Sequence, residues 1–110
     1  MSGLNALTSV GGNMTIQNNS SLQNLNGLQS LLSVNRIFTI AKNENLQNLT
    51  GLNSLETVNY NFRIRDNKKL EDITGLESLK TVTNEIEIAL NPKLETLEGL
   101  DNLGSADHYF

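Results

Sequence analysis

The sequence predicts an all-β fold, a parallel β-helix in which successive coils stack one short strand on the next. A pattern of 24 residues begins at Gly3 and starts again at Gly27, Gly51, Gly75 and Gly99 without insertion or deletion. Within each unit the apolar residues fit neither a sustained helical stripe nor a long alternating strand. Because repeated units of this size bury their apolar side only against neighbouring units, we expect a solenoid.

The chain divides into four full repeats and a half repeat, about four and a half coils. We place the full repeats at residues 3–26, 27–50, 51–74 and 75–98, and the half repeat at residues 99–110. No Pro- or Ser-rich linker separates these units. We therefore expect one β-solenoid domain over residues 1–110.

A short strand is predicted near the middle of each repeat. In residues 61–65, Phe62 and Ile64 alternate with polar side chains, which is the pattern of a strand with one buried face. The corresponding segments are residues 13–17, 37–41 and 85–89. Their equal spacing predicts a parallel sheet with one strand from each coil. The remaining apolar residues mostly step by three, which suits a chain that turns corners to make two further faces.

Three polar or glycine columns recur at the same positions of every repeat. The glycine column predicts a corner where the backbone has a positive φ or a close approach. The asparagine column, Asn19, Asn43, Asn67 and Asn91, predicts a buried ladder of amide side chains that bond the turn backbone. A Ser/Thr column stands next to an inward valine, and we interpret its hydroxyls as bonding the bent backbone.

The motif GL-x-SL-x-TV occurs at residues 51–58 and 75–82, and the pattern Φ-x-I-x-x-N, where Φ is an apolar residue, precedes L-x-x-L in the repeats. In these motifs the chain resembles the receptor L-domain-like, leucine-rich-repeat type of β-helix. This family includes the L domains of insulin and EGF receptor ectodomains, fungal GPI-anchored cell-wall proteins, and bacterial and protist surface proteins. The resemblance implies a right-handed, roughly triangular coil. The chain departs from animal L domains in having no cysteine and no evident capping element.

Composition narrows the classes of function. The net charge of −4 and the pI near 4.8 argue against a nucleic-acid partner, which needs a basic surface. No apolar run is long enough to insert in a membrane. We expect no enzyme, because the single histidine, His108, has no cysteine or serine elbow to pair with. We also expect no cofactor and no metal, since the carboxylates follow no calcium-binding or other ligand spacing.

The outward side chains of the predicted strands form the candidate ligand-binding surface, together with two residues that precede the strands. We expect Arg63 and Glu87 to be neighbours on adjacent strands, either as charge pairs that keep the face soluble or as part of a ligand site. The candidates are Thr15, Gln17, Arg36, Thr39, Tyr60, Arg63, Arg65, Glu85 and Glu87.

We predict a non-catalytic recognition module of a cell-surface or extracellular protein that binds a protein or a glycan. The alternative is a structural scaffold, a homo-oligomer in which coils stack end to end with Tyr109 and Phe110 in the contact. An ice-binding solenoid is a third hypothesis, because Thr15 and Thr39 lie in one row, although Arg63 and Glu87 interrupt it. No signal peptide precedes the first repeat, so we expect a segment of a longer surface protein or a mature secreted chain.

Overall fold

The computed structural model describes residues 4–96, 100 and 103–104, and these residues form an all-β fold without a helix. Two parallel four-stranded sheets run along the molecule. The first sheet contains the two-residue strands β1 (Ser9–Val10), β3 (Ser33–Val34), β5 (Thr57–Val58) and β7 (Thr81–Val82). The second sheet contains the four-residue strands β2 (Met14–Gln17), β4 (Phe38–Ala41), β6 (Phe62–Arg65) and β8 (Ile86–Ala89).

The stacked coils form a β-solenoid of about three turns between the first and last of these strands. We call one strand of each sheet at the same level a rung, so that β1 and β2 make the first rung and β7 and β8 make the fourth. Every strand pairs with the segment 24 residues further along the chain, as Ile40 does with Ile64. The predicted parallel, in-register sheet is confirmed, and its strands begin one residue later than the sequence suggested.

The sheet of two-residue strands was not predicted. We interpreted its Ser/Thr column as hydroxyls that bond a bent backbone, whereas the structure pairs these residues through parallel strands, for example Thr57 with Thr81. Each strand has only two residues, so it contains no alternation that a sequence pattern could reveal. The valine of each pair points inward, and Val34, Val58 and Val82 are fully buried.

The core is one continuous column of aliphatic and aromatic side chains between the two sheets. At its centre the rings of Phe38 and Phe62 stack on neighbouring rungs with centroids 4.9 Å apart and planes 2° from parallel. Aromatic pairs add about 0.5–1.5 kcal/mol to the free energy of burial. Ile40 and Ile64 lie next to them and are fully buried. The predicted inward residues therefore form a packed interior.

The glycine corner combines both properties that were expected of it. Gly51 has φ of 118°, and a Cβ built on it would lie 2.0 Å from the carbonyl oxygen of Leu25 in the preceding repeat. Gly75 has the same relation to Leu49, at 2.1 Å. Since no side chain fits at such distances, the corner brings the backbones of adjacent coils into direct contact. The predicted members of this column that lie outside the described residues are Gly3 and Gly99.

The asparagine ladder joins consecutive rungs. Oδ1 of Asn67 accepts hydrogen bonds from the backbone N–H of Asn43 at 3.1 Å and from its Nδ2 at 3.3 Å. Nδ2 of Asn67 donates to the carbonyl oxygen of Ile40 at 3.1 Å and to Oδ1 of Asn91 at 3.2 Å. Asn43 and Asn67 are fully buried, so the predicted ladder is confirmed there. Asn19 is exposed, contrary to the prediction, because no described rung lies before it.

The residue before each ladder asparagine lies in the left-handed region, with φ between 55° and 59°. L-amino acids rarely adopt this conformation, although asparagine and aspartate tolerate it best. The column contains both tolerant and intolerant residues, and the last of them, leucine, is 62% exposed. The four residues are Asn18, Lys42, Asp66 and Leu90.

Replacing Leu90 by asparagine should raise the free energy of unfolding by about 1 kcal/mol, because asparagine accepts a φ of 58° with less strain. The midpoint of urea unfolding measures the change. Leu32→Asn is the matched control, since Leu32 is also exposed but lacks a positive φ. An equal gain in both variants would show that strain at Leu90 is not the cause.

Candidate functional site

The outward residues of the second sheet make a flat surface that we call the outer face. They stand in two rows that run across the four rungs, with adjacent residues in strand register. The first row is Thr15, Thr39, Arg63 and Glu87, and the second is Gln17, Ala41, Arg65 and Ala89. The inward residues between them are buried on the last three rungs, so the outer face rests on packed core.

The ion pairs of the outer face centre on Arg65. Its Nε lies 3.1 Å from Oδ2 of Asp66, and its Nη1 lies 3.5 Å from Oε1 of Glu87. The Arg63–Glu87 adjacency predicted from the sequence is confirmed by the strand register, but the ion pair runs diagonally from Arg65. All three side chains keep about a third or more of their surface exposed. Each pair therefore contributes at most about 1 kcal/mol.

Arg63 differs from Arg65 in having no carboxylate within 4.0 Å among the described residues. It is half-buried and stands between Thr39 and Glu87 in the first row. Its planar guanidinium carries five N–H donors, in a geometry that matches a carboxylate. Arg63 is thus a cation held in the middle of the outer face and available to a ligand.

Arg36 and Tyr60 border the outer face where the chain enters β4 and β6. They occupy equivalent positions on the second and third rungs, and both are exposed, Tyr60 to 49%. Beside them Asn59 donates from Nδ2 to Oδ1 of Asn35 at 3.0 Å, which ties the two loops together. Tyrosine and arginine are the residues most often found as anchors of interfaces.

The remaining candidates are spread along the surface. Thr15 and Gln17 are exposed on the first rung, while Thr39 is half-buried on the second. Glu85 precedes β8, and its backbone N–H donates to Oδ1 of Asn61 at 3.1 Å. Sequence reasoning missed Asp66, which orients Arg65, because nothing in its spacing distinguished it from other turn residues. The candidates that lie outside the described residues are Tyr109 and Phe110, as does His108.

Two other kinds of site were searched for in the described part of the chain. In residues 4–96, 100 and 103–104, no three His, Cys, Asp or Glu side chains come together as a metal-binding group. Within the same residues, no helix has the length and apolar character needed to cross a membrane.

Comparison with known proteins adds no assignment. No protein-family model, curated protein or solved structure matches the chain. The function is therefore inferred from the geometry of the outer face.

Proposed function

We propose that the chain is a non-catalytic recognition module that binds a protein or glycan ligand through its outer face. The observation that carries the proposal is Arg63, an arginine in the middle of a flat sheet with no carboxylate within 4.0 Å among the described residues. A guanidinium in this position favours a ligand that bears a carboxylate, which it can bind through two parallel hydrogen bonds.

The neighbours of Arg63 support this role. Arg65 is held by Asp66 and Glu87, so it stiffens the surface beside Arg63. Tyr60 and Arg36 at the border offer an aromatic ring and a second cation to the same ligand. Solenoids commonly use such regular sheet faces for binding, because the stacked rungs hold the side chains at fixed spacing.

We also propose the setting that the family resemblance implies. The chain would be an L-domain-like leucine-rich-repeat module of a cell-surface or extracellular protein, wound right-handed in about four and a half coils. The parallel register of 24 residues supports a coil of this type, and parallel crossovers are right-handed in nearly all proteins. End-to-end stacking into a homo-oligomer stays a prediction, and a molecular mass that rises with concentration is its test.

The proposed site is tested by charge reversal. We expect the protein to be retained on immobilised sialylated oligosaccharides or glutamate-rich peptides, and not on their uncharged counterparts. Arg63→Glu should weaken this retention at least about tenfold, because it replaces a charged hydrogen bond by repulsion. Surface plasmon resonance with both sets of probes measures the change.

Lys93→Glu is the control, since it makes the same change of charge at an exposed residue in the turn after β8. Its binding should equal that of the wild type. If no carboxylate-bearing probe is retained, or if Lys93→Glu loses as much binding as Arg63→Glu, the proposed site is wrong. Thermal unfolding of both variants checks that the fold is intact.

A further inference from the structure

The asparagine ladder is incomplete at the fourth rung. Oδ1 of Asn91 accepts from the backbone N–H of Asn67 at 3.0 Å and from its Nδ2 at 3.2 Å, and Nδ2 of Asn91 donates to Ile64 at 3.0 Å. In Asn43 and Asn67, the backbone N–H and the second Nδ2 hydrogen both donate to the next asparagine. Among the described residues, these two donors of Asn91 have no acceptor.

A strand edge and a concavity adjoin these donors. β8 is the outermost strand of its sheet in the described part of the chain, so its side away from β6 has no described strand beside it. A surface concavity of about 560 Å³ opens at the end of β8. Leu90 is 62% exposed there. The residues that line the concavity are Asp66, Lys68, Leu90, Asn91 and Pro92.

We propose that the β8 edge and Asn91 bind an extended segment of another chain that carries the pattern Φ-x-I-x-x-N. The repeat itself identifies this partner, because on the preceding rungs an asparagine of the same pattern accepts both donors. The segment pairs with β8 as an added strand. Its asparagine Oδ1 accepts from the N–H and Nδ2 of Asn91.

The charge of the fourth rung adds that the segment is basic. Glu85 and Glu87 lie at this edge of the sheet, and the enclosed Oε1 of Glu87 has no hydrogen-bond partner in the described residues. Its nearest cation is Nη1 of Arg65, at 3.5 Å on the third rung. An arginine at the first outward position of an added strand would approach Glu87 from the open side.

The chain itself contains a segment of this chemistry. Residues 59–70 include the pattern from Phe62 to Asn67 and carry four basic side chains and one acidic side chain. In the intact protein this segment makes the third rung and packs against the fourth. A synthetic peptide of residues 59–70 is therefore the probe of choice. The edge is separate from the outer face, so either proposal can fail alone.

The test is a titration of the ¹⁵N-labelled 110-residue protein with this peptide. The amide resonances of Ile88, Leu90 and Asn91 should shift on binding, and the shifts measure the dissociation constant. A peptide with Asn67→Leu should bind at least about tenfold more weakly, because it offers no acceptor to Asn91.

Two protein variants complete the test. Leu90→Lys should also weaken binding of the basic peptide at least about tenfold through repulsion, and Lys42 shows that lysine is accommodated at this φ. Leu32→Lys makes the same change at a distant exposed leucine and should leave binding unchanged. Absence of shifts at millimolar peptide, shifts confined to other rungs, or equal binding of the Asn67→Leu peptide would overturn the proposal.

Discussion

Gly51→Ala should lower the free energy of unfolding by about 4 kcal/mol or more, the largest single effect that we expect. The alanine Cβ would lie 2.0 Å from the carbonyl oxygen of Leu25, at a φ of 118° that alanine rarely adopts. Relief requires the two coils to separate at this corner. Separation would also weaken the hydrogen bond from Leu25 N–H to the carbonyl of Thr50, which is 2.8 Å long.

Gly11→Ala is the control for this effect. Nothing lies within 4 Å of a Cβ built on Gly11, and its φ is not positive, so the change should be within about 0.5 kcal/mol. Urea unfolding of the two variants gives the comparison. Similar losses in both would mean that the close approach of the coils does not set the stability at Gly51.

Asn67→Leu should lower the free energy of unfolding by about 3 kcal/mol, the second largest effect. Leucine keeps much of the side-chain volume, so the loss comes mainly from polar groups that are left without partners inside the protein. Both donors of Asn43 would lose their acceptor. The carbonyl of Ile40 and Oδ1 of Asn91 would each lose a donor.

Asn59→Leu removes a comparable bond between asparagines on neighbouring rungs, 3.0 Å long but exposed. Water replaces the lost partner there, so we expect a cost below about 1 kcal/mol. The difference between the two midpoints of urea unfolding isolates the effect of burial. If both variants lost the same stability, the buried position of the ladder would not be what makes it important.

The sequence predicted the features that repeat with a distinctive residue. Glycine at the close approach and asparagine in the ladder are each required by the backbone, so they recur and can be recognised. Phe62 and Ile64 revealed their strand because it has one buried face and is four residues long. The 24-residue spacing then implied the parallel register.

Features without a distinctive residue could not be predicted. The left-handed column contains lysine and leucine as well as asparagine and aspartate, because the turn imposes its conformation whatever the side chain is. Arg65 rather than Arg63 pairs with Glu87, a choice that depends on side-chain reach across strands. The two open donors of Asn91 appear only when the ladder is traced bond by bond.

The constant offset of 24 residues between paired strands has a consequence for how such a chain can evolve. Gene duplication or loss of a whole unit leaves every surviving contact with an equivalent neighbour. A deletion of one residue instead turns all later side chains of a strand to the opposite side. Length can therefore drift in steps of one unit under weak selection, while frame within the unit is strictly maintained.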